Sequence, residues 1–331
     1  MAPPTAIFFE NEMMNNTPGR LHLHRIRQAH QAIDPVFLHS PQYRNEPLGD
    51  HLGNHLVLKV ETQNPIRSFK GRGCDWLVSQ SPDRERLICA SAGNFGQALA
   101  YACRKKAIPL TVYASLHANP LKVERMRALG AEVVLYGEDF DAAKEQARAV
   151  ARQEGIRFVE DSLDVETVEG AGTIGLELLR YPDPIDVLLV PLGNGALFNG
   201  IATVFRALSP ATRLVAVGAT GAPAMIESLR QGQLVAHPRA ATIADGIAVR
   251  LPVPEALRDM QDLATEGILV EDQTILQAMK LIHRHAGLVA EPSGAVGIAA
   301  ILENREAFAG QTVATIVCGS NLTDGQVAAW L

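Results

Sequence analysis

The sequence predicts an α/β protein whose sheets are mainly parallel. Three observations carry this expectation. Strand-like and helix-like runs alternate along most of the 331 residues, the order that parallel βαβ units require. Val187, Leu188, Leu189 and Val190 form an unbroken apolar run, which suits a strand covered on both faces. Several such runs end in glycine-bearing turns that open a helix. A chain of this length holds roughly two domains, or one large one, with a substantial core.

Composition narrows the function classes. Hydrophobic residues make up 47% and charged residues 20%, with a net charge of −6, so neither a nucleic-acid partner nor an anionic membrane partner is expected. Cys74, Cys89, Cys103 and Cys318 form no C-x-x-C pair, which argues against zinc and dithiol chemistry and suits a reducing compartment. The first sixteen residues lack a basic start and a long apolar stretch, so no secretory signal is expected. No uncharged apolar run reaches membrane-spanning length. The expected location is the cytoplasm.

Taken in order, residues 1–20 show no clear period and read as a loose arm. Residues 21–33 fit a short helix ended by Asp34-Pro35; His22, His24 and His30 lie on it, on a polar segment and on differing faces. Residues 56–61 alternate like a strand and lead to Asn64-Pro65-Ile66-Arg67-Ser68-Phe69-Lys70-Gly71-Arg72-Gly73, a stretch that reads as a flexible loop holding an isolated lysine. Strands are expected at 87–90, 108–113, 131–136, 157–159, 187–190, 214–217 and 312–318. Helices are expected at 95–105, 121–129, 140–153, 173–180, 197–208, 224–230, 273–285 and 293–303. The run at 140–153 is rich in Ala, Glu, Gln and Arg, all good helix formers.

Two strand-to-helix loops carry chemistry. A helix start presents unpaired N–H groups and partial positive charge, so it binds anions. Gly193-Asn194-Gly195-Ala196-Leu197 can wrap N–H groups around a phosphate. Ser91-Ala92-Gly93-Asn94 can do the same for a carboxylate, with the Ser91 hydroxyl and the Asn94 amide as further donors. Neither is a P-loop or a G-x-G-x-x-G fingerprint, and either alone is equally a tight turn. Together with Lys70, whose amine can attack a carbonyl, they call for a ligand with a phosphate and an aldehyde beside an amino acid.

These motifs resemble those of the fold-type II pyridoxal-phosphate enzymes, the tryptophan synthase beta-like superfamily. Within it they are most similar to the threonine/serine dehydratase, or ammonia-lyase, group that also contains serine racemase. The resemblance runs from about residue 47 to 321. It rests on Ser68-Phe69-Lys70-Gly71-Arg72-Gly73, Ser91-Ala92-Gly93-Asn94, Glu169-Gly170-Ala171-Gly172-Thr173-Ile174-Gly175 and Gly193-Asn194-Gly195-Ala196-Leu197. Ala244-Asp245-Gly246-Ile247-Ala248-Val249, Glu291-Pro292-Ser293-Gly294-Ala295 and Cys318-Gly319-Ser320-Asn321 complete the set, in the family's order.

The resemblance implies a two-domain architecture, each domain a mainly parallel twisted sheet flanked by helices. Residues 1–83 and 161–331 would form the large cofactor-binding domain, and 84–160 a small mobile one. Lys70 would hold pyridoxal 5'-phosphate as a Schiff base and then take the substrate's α-proton. Phe69 would pack on the pyridine ring, Asn94 would hydrogen-bond its hydroxyl, and Gly193, Asn194, Gly195, Ala196 and Leu197 would bind the phosphate. Cys318 would sit beside the ring nitrogen, where a neutral partner favours expulsion of a β-substituent over a long-lived carbanion. Ser91, Ala92, Gly93 and Asn94 would bind the substrate carboxylate. The implied reaction is dehydration and deamination of a threonine- or serine-like amino acid to a 2-oxo acid, by a homodimer. A threonine synthase-like β- or γ-replacement is the rival.

Four departures bear on this. Ala92 stands where the racemase has a second serine, which turns the expectation from racemisation to elimination. Phe95 stands where dehydratases more often have histidine. Asn194 and Ala196 replace two glycines of the usual phosphate loop. Gly218-Ala219-Thr220-Gly221-Ala222-Pro223 offers no acidic residue after its strand, so no metal site is expected. Glu291 reads either as a group near the cofactor or as a helix cap.

Overall fold

The computed structural model describes residues 19–82, 85–261, 263 and 266–331. The arm expected at the amino end falls almost wholly outside the described residues, as does the 83/84 domain boundary. Arg20, at the arm's end, is tied to Asp259 at 2.8 Å and donates to the Ser162 carbonyl.

Among the described residues ten strands build two sheets: β1 (Gln42–Arg44), β2 (His55–Val60), β3 (Leu87–Ala90), β4 (Leu110–Ala114), β5 (Glu132–Leu135), β6 (Arg157–Val159), β7 (Val187–Pro191), β8 (Arg213–Ala219), β9 (Glu266–Val270) and β10 (Thr312–Val317). The larger sheet runs β1-β2-β10-β7-β8-β9 and the smaller β5-β4-β3-β6. Every pairing is parallel except β1 with β2. The α/β expectation therefore holds.

Unbroken apolar strands serve two cores at once. In β7, Val187 and Leu189 pack into one cluster while Leu188 and Val190 pack into another on the opposite face, following the two-residue side-chain period. In β3, Leu87 and Cys89 face one core and Ile88 the other. Helices cover both faces of each sheet, as buried parallel strands require. Among the described residues no helix is long and apolar enough to cross a membrane.

Three expectations shift. Lys70 does not lie within a flexible loop: it is the first residue of the helix Lys70–Gln80. The helix expected at 173–180 spans Val165–Leu178, so the Glu169-Gly170-Ala171-Gly172 motif is helical. Its glycines are there for contact, since a methyl on Gly170 would lie 2.5 Å from the Gly73 Cα and one on Gly172 would lie 2.9 Å from the Gly200 carbonyl oxygen. β1 and β9, at the sheet edges, have no counterpart among the expected strands; both are short and only partly buried.

A buried charge network holds the lysine helix against the large sheet. Arg72, fully enclosed, donates to Glu61 at 2.8 Å and to Glu177 at 2.7 Å, and Lys59 reaches Glu177 at 2.6 Å. Burial raises the Glu177 carboxyl, but the Arg72 hydrogen bond and charge and the Lys59 charge outweigh it and hold the group at about 2. Burial in turn pulls the Lys59 ammonium down from its ordinary value, against the attraction of Glu61 and Glu177.

Candidate active site

Ligands of open α/β sheets gather at the carboxyl ends of strands, and here four such ends converge. β3 delivers Ser91, β6 delivers Glu160 and Asp161, β7 delivers Gly193, and β10 delivers Cys318. They line a cavity of about 400 Å³. All twelve residues expected at the site border it: Phe69, Lys70, Ser91, Ala92, Gly93, Asn94, Gly193, Asn194, Gly195, Ala196, Leu197 and Cys318.

The turn into Lys70 is held by local side chains and by β10. The Asn64 side chain accepts from the N–H of Ile66 at 3.1 Å. Arg67, without being glycine, adopts a left-handed φ of 52°, the sort of backbone strain that clusters at functional sites. Phe69 N–H donates to the Cys318 carbonyl at 3.0 Å and Ser320 N–H to the Arg67 carbonyl at 3.0 Å. These bonds lock the lysine turn to the end of the last strand. The Lys70 ammonium lies 4.6 Å from the Phe69 ring centroid and 2.5 Å from Asp161 Oδ2.

Both loops enter helices, and both use part of their own donor supply. Ser91 Oγ accepts from Gly96 N–H at 2.9 Å and from Gly93 N–H at 3.2 Å, so Ser91 shapes the loop as well as facing the cavity. Gly195 takes φ 98°, a conformation that glycine adopts without a side-chain clash. Ala196 N–H donates to Ser162 Oγ at 3.1 Å.

The Asn94 amide is held from both ends. Its Nδ2 donates to Glu291 Oε1 at 2.7 Å, and its Oδ1 accepts from Asn321 Nδ2 at 2.8 Å. An amide carries two N–H donors, so the first bond still leaves the group able to meet a ligand. Glu291 opens the helix Pro292–Glu303 but makes no side-chain cap bond. Its other oxygen accepts from Asn321 N–H at 3.1 Å, which sets the cap reading aside. Burial pushes its carboxyl up to about 7, with Asp245 adding to the rise and Lys122, Asn321 and Asn94 opposing it. Burial likewise pushes the Cys318 thiol far up, so this side chain faces the cavity neutral.

Several charged residues at the cavity belong to no motif: Asp161, Glu160 with its partner Lys144, and Lys122, which pairs with Asp245 at 2.6 Å. Little in their local sequence marks them, because each is defined by a partner on another element. Asp161 had one usable signal: it lies two residues past the end of a strand whose neighbour carries the Ser91 loop.

A family model described as pyridoxal-phosphate dependent enzyme matches residues 35–319. The chain belongs to this family. Among other members, L-threonine ammonia-lyase of Thermotoga maritima is 32% identical over 91% of this chain and 75% of its own length. The processed form of threonine deaminase isoform 2 from Solanum lycopersicum superposes with a TM-score of 0.85 at 29% identity, covering 98% of this chain and 92% of that one. Maize serine racemase superposes with a TM-score of 0.87 at 27% identity, covering 92% of this chain and 95% of that one.

The residues present fit the cofactor of a pyridoxal-phosphate dependent enzyme. A lysine amine, a glycine turn entering a helix and a neutral thiol border one cavity. The buried Ser293 Oγ on its wall has no hydrogen-bond partner, and a buried hydroxyl of this kind calls for one. Among the described residues no three His, Cys, Asp or Glu side chains gather as metal ligands.

Proposed function

We propose that this chain is a pyridoxal-phosphate-dependent lyase that converts a β-hydroxy amino acid, threonine or serine in kind, to a 2-oxo acid and ammonia. The observation that carries the reading is the meeting of a lysine amine and two anion-binding helix starts in one cavity. The similarity to threonine ammonia-lyase and threonine deaminase supports it.

When bound, pyridoxal phosphate supplies an electron sink that makes the substrate's α-hydrogen acidic. The Lys70 amine would hold the cofactor's aldehyde carbon at rest and, once released, take the α-proton on Nζ. The turn Gly193-Asn194-Gly195-Ala196-Leu197 would hold the phosphate on its backbone N–H groups at a helix start, the Ala196 N–H being shared with Ser162 Oγ. Phe69 and Cys318 would border the ring, the thiol leaving the ring nitrogen without a charged partner. Asn94 would orient the ring edge. Ser91, Ala92, Gly93 and Asn94 would receive the substrate carboxylate. Ala92 brings no proton-transfer group, so the proton moves on the Lys70 face alone, which favours elimination over racemisation.

The reading includes a division into a large domain, residues 1–83 and 161–331, and a small one, 84–160, that closes over substrate and excludes water. Polar contacts between the two parts support it: Lys122 with Asp245, Asp141 with Arg250, and Asn94 with Glu291. A homodimer in the cytoplasm completes the proposal, and light scattering of the purified protein tests the dimer.

The decisive experiment adds pyridoxal phosphate to purified wild type and Lys70→Ala, then feeds threonine, serine and phosphohomoserine in turn. We expect a visible-violet absorbance band in wild type that is lost in the variant, and 2-oxo acid from the hydroxy amino acids without phosphate release from phosphohomoserine. A protein that stays colourless contradicts the reading. Phosphate release would turn it to the replacement class.

A further inference from the structure

We propose that Asp161 docks the ammonium group of the incoming amino acid, so that Asp161 and the Ser91 loop together form a receptor for a zwitterion. This deepens the lyase reading and rests on it.

Three features of the structure point to this role. Asp161 Oδ2 lies 2.5 Å from the Lys70 nitrogen, and a substrate amine that displaces Lys70 must come to the same place. Its second oxygen, Oδ1, is buried without a hydrogen-bond partner, and a carboxylate oxygen in that state calls for a donor. The backbone beside it is strained: Ser162 takes a left-handed φ of 70° while its N–H donates to Thr167 Oγ1 at 3.0 Å. Such strain persists where the surroundings enforce a required geometry.

The sheet sets the spacing. Cys89 of β3 and Val159 of β6 are paired neighbours, and Ser91 and Asp161 each follow two residues later. Adjacent strands lie about 4.8 Å apart, so an anion cradle and a carboxylate stand side by side at one sheet edge. An α-amino acid's carboxylate and ammonium lie closer together than this, and a hydrogen bond to each spans the difference. The neighbouring carboxylates are already met, Glu160 by Lys144 and Arg148 and Asp245 by Lys122. Asp161 shares only the nitrogen that the reaction ties up, so it is the carboxylate left for a substrate cation.

The alternative is that Asp161 only parks Lys70. Titration calorimetry on cofactor-loaded enzyme whose Lys70 imine has been reduced with borohydride separates the two, since no ligand can then exchange with Lys70. The probes are L-alanine, which has no leaving group, and L-lactate, which carries a hydroxyl in place of the ammonium. We expect wild type to prefer alanine, and Asp161→Asn to cut that preference about tenfold to a hundredfold, the scale of a lost charge-assisted hydrogen bond. Lactate affinity should stay unchanged, and Asp161→Glu should keep most of the preference. With serine or threonine on unreduced enzyme, KM should rise by more than kcat falls. An unchanged preference in Asp161→Asn, or equal weakening of both ligands, overturns the assignment while leaving the lyase reading intact. A wild-type protein that never takes up pyridoxal phosphate fells both.

Discussion

The amide of Asn94 and the carboxylate of Glu291 meet at 2.7 Å, although 197 residues separate them along the chain. Asn94 begins the helix after β3 in the small sheet, and Glu291 precedes the helix Pro292–Glu303 that packs on the large one. Asn321 closes the set, bonding both of them and the Ile66 carbonyl just ahead of the lysine turn. The relative position of the two sheets thus depends in part on these three residues, of which Asn94 and Glu291 line the cavity.

Replacing Asn94 by Ala removes two of these bonds and leaves Glu291 buried with one donor fewer. We expect a stability loss of about 1–3 kcal/mol, read by urea unfolding, and a larger loss of cofactor affinity than Ala98→Gly causes. An Asn94→Ala protein with wild-type affinity for pyridoxal phosphate would remove Asn94 from the cofactor site.

Glu291 carries a pH signature of definite sign. Its folded carboxyl sits at about 7, above the ordinary 4.5, so folding favours the protonated form. The associated stability is complete below about pH 4.5 and is lost as pH rises through 7. That loss is on the order of 3 kcal/mol in wild type, and Glu291→Gln should lack it. Denaturation midpoints between pH 4.5 and 8 will test this: parallel curves for the two proteins contradict it.

Glu177 has the opposite sign. Its folded carboxyl is held near 2, so its contribution is present above pH 4.5 and disappears as pH falls through 2. At neutral pH, Glu177→Gln leaves Arg72 and Lys59 buried with less compensating charge. A cost of about 3–5 kcal/mol is expected, seen as a lower unfolding midpoint in urea.

Gly200 marks the closest approach of two helices, where an added methyl would lie 2.3 Å from the Val168 carbonyl oxygen. Gly200→Ala should cost about 1–3 kcal/mol through overpacking, even though alanine is the better helix former. A stabilised Gly200→Ala protein would show that the helix contact is looser than this distance implies.

Much of the molecule was legible because it is encoded locally. An apolar strand followed by a glycine turn and a helix announces itself within about twenty residues, so β3 with its Ser91 loop and β7 with its Gly193 loop could be read directly. The edge strands β1 and β9 could not, since short, half-buried strands carry little periodic signal. Lys70 stands out in the sequence but its setting does not: the helix it starts buries two charged residues, Arg72 and Asp75, whose partners Glu61, Glu177 and the Asp34 N–H all lie outside that helix.

What the sequence determined by itself was the α/β class, the two glycine-bearing helix starts and the isolated Lys70 ahead of them. Tertiary structure alone decided which charges those groups would face. Asp161 stands 91 residues from Lys70, and Glu291 gave up a helix cap for a bond to Asn94. Hydrophobic period and turn chemistry act over a few neighbouring residues, whereas the partner of a buried charge is chosen by whichever strand ends the fold brings together.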